Sequence, residues 1–323
     1  MTLGAYARAS DTGKKRRRNE DSYVVAPPLF AVADGMGGAQ AGEVASKLAA
    51  AALEETDSGS LHGEERLVSL IQEANRRVHE RASADPATSG MGTTMTVALV
   101  EGDVVTFGHV GDSRAYLVRA GRLDQLTEDH SLVNELLKSG KLSPKEAETH
   151  PQRSVITRAV GTDPDVDVDT FAVQAQEGDV FLLCSDGLTD MVDDEEILDL
   201  LDRYHDDLDR ATKALVSAAN RGGGEDNITV VAFAIGAAGD ETLRMPAAGP
   251  DEDTLEGIPA PVIDTMVVPP EEVEQVFVEP GSPEAEAVVR REPISPAVRV
   301  RLVLTMLGLL GVAAVLLVWG LMR

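Results

Sequence analysis

Apolar and polar positions alternate with period two, or fuse into short apolar runs, at residues 21–26, 29–33, 92–101, 104–110, 114–119, 179–184 and 229–235. Runs of this length, bounded by Gly, Asp or Asn, predict strands. The turns Glu101-Gly102-Asp103 and Arg119-Ala120-Gly121-Arg122 each join two such runs, which favours antiparallel pairing. Helical spacing at 41–55, 64–84, 195–201 and 206–220 groups helices in pairs between sheet segments, not one after every strand. A layered α+β architecture is therefore expected, not a doubly wound sheet. Residues 131–161 are polar and read as a helical flap. Beyond them Asp163, Asp165, Asp167 and Asp169 alternate with apolar residues or Pro, which predicts a solvated strand face. A calcium loop is excluded there, because the sixth position lacks Gly and Gln174 occupies the twelfth.

After residue 237 the pattern changes. Residues 238–297 hold 14 acidic and 3 basic residues, are rich in Pro and almost free of aromatics, so this stretch reads as a disordered linker. An acidic-Thr-apolar triplet recurs in it at Glu241-Thr242-Leu243, Asp253-Thr254-Leu255 and Asp264-Thr265-Met266. Leu302 to Met322 then runs for 21 residues without a charge. At 1.5 Å per residue that covers about 31 Å, enough to cross the hydrocarbon of a bilayer. The chain is expected to divide into a globular domain at 1–237, the linker at 238–297 and a transmembrane anchor at 298–323. Arg290, Arg291, Arg299 and Arg301 precede the span and only Arg323 follows it, so the positive-inside rule puts the domain in the cytoplasm. The N-terminus has no apolar h-region, so no cleavable signal peptide is expected. The expected location is a single-pass protein of the cell inner membrane.

Charge narrows the function. With 29 basic and 55 acidic residues the chain carries −26 at pH 7, which argues against nucleic acid as a partner. The one cysteine, Cys184, lies inside an apolar run, so no disulfide can form within the chain and the thiol is expected in the core.

The candidate chemistry sits where apolar runs end in carboxylates. Leu29 to Ala33 ends in Asp34-Gly35-Met36-Gly37-Gly38, and Phe181 to Cys184 leads through Ser185 into Asp186-Gly187. Val104 to Val110 ends in Gly111-Asp112-Ser113, and Glu225-Asp226-Asn227 precedes the run from Ile228. A single Asp-Gly is also a common hairpin turn. Four of these devices, far apart in sequence, predict one converging metal site. Oxygen ligands without nearby His or Cys select Mg²⁺ or Mn²⁺ over zinc. Carboxylates packed this densely imply at least two ions, and such a pair suits hydrolysis of a phosphate ester by an activated water. The dense basic run Lys14-Lys15-Arg16-Arg17-Arg18 abuts Asn19-Glu20-Asp21 and offers a guanidinium to grip phosphate.

Together with Gly92-Thr93-Thr94, Asp129-His130-Ser131 and His150-Pro151-Gln152-Arg153, these motifs make residues 3–236 resemble the bacterial metal-dependent (PPM, type 2C) protein serine/threonine phosphatases. The resemblance implies a central β-sandwich of two mostly antiparallel sheets flanked by helix pairs, with two metal ions between the sheets. It implies that Asp34 bridges both ions and that the Gly35 carbonyl, Asp186, Asp226 and Glu20 complete their shells. Arg16 aligns with the phosphate-binding arginine and Asp21 with its acidic partner. Asp112, helped by Asp190, matches ligands of a third ion. Met36 stands where many eukaryotic members have a histidine proposed to protonate the leaving alkoxide. The implied activity is metal-dependent hydrolysis of phosphoserine and phosphothreonine in proteins by a monomer, with a eukaryotic-like Ser/Thr kinase among the substrates. The alternative is a catalytically silent, membrane-tethered phosphoprotein-binding module.

Overall fold

In the computed structural model, residues 2–37, 41–56, 60–147, 150–236 and 266–267 are described. Two five-stranded antiparallel sheets form the centre. One is ordered β1 (Thr2–Asp11), β13 (Ile228–Gly236), β12 (Val180–Cys184), β8 (Arg114–Arg119), β9 (Arg122–Gln125). The other is ordered β11 (Asp169–Gln174), β7 (Val104–Val110), β6 (Met95–Glu101), β3 (Leu29–Ala33), β2 (Ser22–Ala26). The short strands β4 (Gly35–Met36) and β5 (Gly92–Thr93) pair with each other at the end of the second sheet.

The inner faces of the sheets meet in a dry layer. Phe30, Phe107, Phe181 and Phe233 are fully buried there, and Phe30 stacks on Phe233 with ring centroids 4.5 Å apart. Each such ring contributes roughly 2–3 kcal/mol by leaving water. The outer face of the β2–β11 sheet is covered by α1 (Ala41–Glu55) and α2 (Gly63–Ala84). The other sheet is covered by α5 (Asp186–Thr189), α6 (Asp194–Arg203) and α7 (Leu208–Gly222). Central strands are therefore buried on both faces. In β13, Val230 and Ala232 face the helices while Val231 and Phe233 face the opposite sheet. This double burial explains why the central strands read as continuous apolar runs.

Between β9 and β11 the chain forms α3 (Leu132–Lys138), α4 (Pro144–Ala147) and the two-residue β10 (Val155–Ile156), as the flap reading expects. Met266–Val267, the strand β14, lies parallel to β10.

Two expectations need correction, and one strand was not expected. Asp163, Asp165 and Asp167 are not on a strand; only Asp169 begins one, β11. Side chains of α2 take the place of a partner strand: Asn75 Nδ2 donates to the carbonyls of Asp163 and Pro164, and Gln72 Nε2 donates to that of Val166. The run at 92–101 is broken at Thr94, whose backbone turns aside to bond Asp34. At the N-terminus, β1 is an edge strand whose only fully buried side chain is the small Ala7, so its periodicity is faint.

Cys184 is fully buried, and burial pushes its thiol up to about 12, as a core position requires. Among the described residues no helix is long and apolar enough to cross a membrane. The 302–322 span, and the linker apart from Met266–Val267, lie outside the described residues, as does Gly38.

Candidate metal centre

Asp34 leaves the end of β3 and is held there by its backbone. Its N–H donates to Thr94 Oγ1 at 2.9 Å, and its carbonyl accepts from Thr94 N at 2.8 Å and from Thr93 Oγ1 at 2.7 Å. Thr94 Oγ1 also meets Ser113 Oγ at 2.7 Å, so the Gly92-Thr93-Thr94 and Gly111-Asp112-Ser113 motifs are fastened together. The Gly111 turn is fixed from its other side, where Gly111 N donates to His130 Nδ1 at 3.0 Å. That bond makes Nδ1 an acceptor, so Nε2 carries the proton toward Asp169 Oδ2, 3.1 Å away.

Glu20 and Asp21 are delivered by the basic loop. Asn227 organises that loop from across the sheet: its amide donates to the carbonyls of Thr12 and Arg18, and its Oδ1 accepts from Glu20 N at 2.8 Å. Asp21 is buried, with Oδ2 accepting from Ser185 Oγ at 2.8 Å. Asp186 opens α5 directly after that serine. Arg16 Nη2 lies 2.7 Å from Asp226 Oδ2, so the predicted phosphate-gripping guanidinium and a predicted metal ligand form an ion pair.

Electrostatics shows that the carboxylates share one field. Burial, then repulsion from Asp21, Asp186, Asp226 and Asp112, holds Asp34 well above the usual carboxylate range. Burial, then Asp112, Asp226, Asp190 and Asp21, does the same to Asp186. Burial raises Asp21 and Asp112 to about 7. Asp190 stands at the exposed rim, 3.6 Å from Arg153, and is raised by the same effects.

Among the described residues, no three of these groups close on one point in ion-holding geometry. Two observations nevertheless suit a hard cation. Asp186 Oδ1 is buried without a hydrogen-bond partner. A Cβ added to Gly42 would stand 2.7 Å from the Gly35 carbonyl oxygen and 3.0 Å from Glu20 Oε2, so only glycine at the start of α1 leaves both oxygens unobstructed. The donor set is wholly oxygen, as Mg²⁺ and Mn²⁺ prefer.

A family model described as Protein phosphatase 2C matches residues 14–219. The chain belongs to the protein phosphatase 2C family. Among curated 2C relatives, the serine/threonine protein phosphatase PstP of Mycobacterium tuberculosis is 43% identical over 228 residues, 70% of this chain and 44% of that protein. The chain thus spans less than half the length of that relative. The serine/threonine phosphatase stp of Listeria welshimeri is 42% identical over 233 residues, 69% of this chain and 92% of that protein. A solved catalytic domain of PstP in complex with two manganese ions is 39% identical, with a TM-score of 0.66, covering 72% of this chain and 98% of that one.

The fold therefore brings Asp21, Asp34, Asp112, Asp186, Asp190 and Asp226 into one field, with Arg16 paired to Asp226 at its edge and Glu20 Oε2 near the Gly35 carbonyl oxygen beside Gly42. Ser185, Thr94, Asn227 and Gly42 support the site, and sequence reasoning missed their roles. Thr94 lay within a quoted motif, and the pair Asp226-Asn227 at a strand start was the available signal for Asn227. Arg114, the residue after the Gly111-Asp112-Ser113 motif, grips Asp129 with two nitrogens at 2.9 and 2.7 Å beside Asp112. Met36 is buried against Ile156 and Ala159, so it contributes packing and no proton.

Proposed function

We propose that the chain hydrolyses phosphoserine and phosphothreonine esters in proteins, dependent on Mn²⁺ or Mg²⁺. The observation that carries this reading is the single field of buried, mutually repelling carboxylates with Arg16 beside it. Such a field costs folding free energy unless cations offset it, and it gains purpose where they supply Lewis acidity and charge neutralisation to a phosphoryl group. Asp34, Asp186 and Asp226 would hold one ion, and Asp34 with Glu20 and the Gly35 carbonyl, whose oxygens both lie beside Gly42, a second. Asp112 and Asp190 are the groups for a third. Arg16 has the planar fork that orients phosphoryl oxygens. Asp21, fixed by Ser185, lies against Asp34 and Asp226 and would orient the site. The relatives named above support the substrate class, and the manganese-bound PstP domain supports the metal.

The test is Mn²⁺-dependent phosphate release from a phosphothreonine peptide by wild type, Asp34→Asn and Asp186→Asn. Losing several kcal/mol of transition-state stabilisation predicts a fall of about 10³-fold in each variant. An inert wild type, or variants as fast as wild type, refutes the reading. An autophosphorylated Ser/Thr kinase serves as a second substrate and tests the expected partner.

We also propose that the run at 302–322 anchors the chain in the inner membrane with residues 1–237 on the cytoplasmic side. The uncharged length and the arginines upstream of it support this.

A further inference from the structure

The flap contains a strand edge that the activity above does not use. β10 faces Ser131 through Ile156 in an antiparallel bridge. The bond from Thr157 N to the His130 carbonyl, 2.8 Å, makes Ser131 and Ile156 a non-hydrogen-bonded pair. The N–H and C=O of Ile156 therefore turn to the opposite edge. Val155 N is spent on the Gln152 carbonyl at 3.2 Å, so Ile156 supplies the donor on that edge. There Met266–Val267 runs parallel, with Val155 opposite Met266 and Ile156 opposite Val267.

The occupant is a distinctive part of the linker. Met266-Val267-Val268 is an apolar run of strand-forming character, and Pro269-Pro270, which cannot continue a ladder, ends it. It follows the third acidic-Thr-apolar triplet, Asp264-Thr265-Met266.

The edge also lies close to the chemistry. Arg153 and Ser154, which lead into β10, line a cavity of about 680 Å³ together with Asp112, Asp186 and Asp190. Ile156 itself packs on Met36, two residues after Asp34. An extended protein segment presenting a phosphorylated residue to the carboxylates has this edge within reach, and strand addition needs only main-chain groups.

We infer that the outer edge of β10 is a strand-addition site, filled in cis by Met266–Val267 and contested by the extended segment of a phosphoprotein substrate. Met266–Val267 is thereby an autoinhibitory strand. The identity of the competitor rests on the phosphatase reading; the cis strand does not. A flexible chain of 29 residues, the number between Gly236 and Met266, has an end-to-end distance of about 30 Å, for which the effective concentration is on the order of millimolar. A two-residue ladder is intrinsically weak, so release of the strand should tighten substrate binding by only about two- to fivefold.

The experiment compares the full chain in detergent with the double variant Met266→Pro, Val267→Pro, which alters no residue of the folded domain. Hydrogen exchange at the Ile156 amide reads the cis strand, and fluorescence polarisation of a labelled phosphothreonine peptide reads the competition. The expected result is faster exchange at Ile156 in the variant and a two- to fivefold lower Kd. Unchanged exchange overturns the cis strand, and faster exchange with unchanged Kd overturns the competition. If neither chain binds or turns over the peptide, the phosphatase reading and the competition fall together, and exchange at Ile156 still decides the cis strand.

Discussion

Asp21 allows the cost of the carboxylate field to be measured directly. It is buried, 8% exposed, and burial raises it from an ordinary value near 4 to about 7. The unfolded chain gives up this proton near pH 4, whereas the folded chain keeps it to about pH 7. Between those values the folded state binds more protons, so the contribution to stability is full below pH 4, falls as pH rises, and is lost above about pH 7. At 1.36 kcal/mol for each pH unit, the whole loss is roughly 4 kcal/mol. Asp21→Asn removes the titration but keeps an oxygen to accept from Ser185 Oγ. In chelator, the stability of the variant relative to wild type should therefore rise by about 3 kcal/mol between pH 5 and pH 8. Urea unfolding followed by far-UV circular dichroism at half-unit pH intervals gives this difference, and effects common to both proteins cancel. A relative stability that stays constant within about 0.5 kcal/mol across that range would show that Asp21 is not held protonated by its surroundings. Saturating Mn²⁺ should then stabilise wild type by about 3 kcal/mol at a hundredfold excess over Kd.

Two further outcomes follow from the structure. Gly42→Ala places a methyl 2.7 Å from the Gly35 oxygen and 3.0 Å from Glu20 Oε2. It should cost about 1–3 kcal/mol in urea unfolding and weaken Mn²⁺ binding in calorimetry, and unchanged metal affinity would remove Gly35 and Glu20 from the site. If 302–322 is an anchor, the full chain stays with membranes through alkaline carbonate extraction and a chain ending at 297 does not; release of both refutes the anchor.

Local pattern carried much of this protein. Phe30 to Val32 and Phe181 to Cys184 are buried on both faces, so their apolar runs are continuous, and Asp34 and Asp186 are conspicuous where those runs end. The hairpin turns at Gly102 and Gly121 gave the antiparallel pairings of β6 with β7 and β8 with β9. β1 escaped because an edge strand with small side chains has little periodicity to show. Asp163, Asp165 and Asp167 misled because alternation along a loop looks like a strand when the bonds from Asn75 and Gln72 are unseen.

The sequence by itself determined the layers, the carboxylate inventory and the oxygen-only character of the site, because these depend on side-chain type and short-range period. Tertiary structure alone decided which groups meet. Asp21 finds Ser185 across 164 residues, Glu20 finds Asn227 across 207, and Arg16 finds Asp226 across 210. It also decided that Gly42 must be bare and that Val155–Ile156 offers an edge to Met266–Val267. Such contacts are fixed by how the two sheets and their flanking elements close on one another, and a local pattern holds no record of that closure.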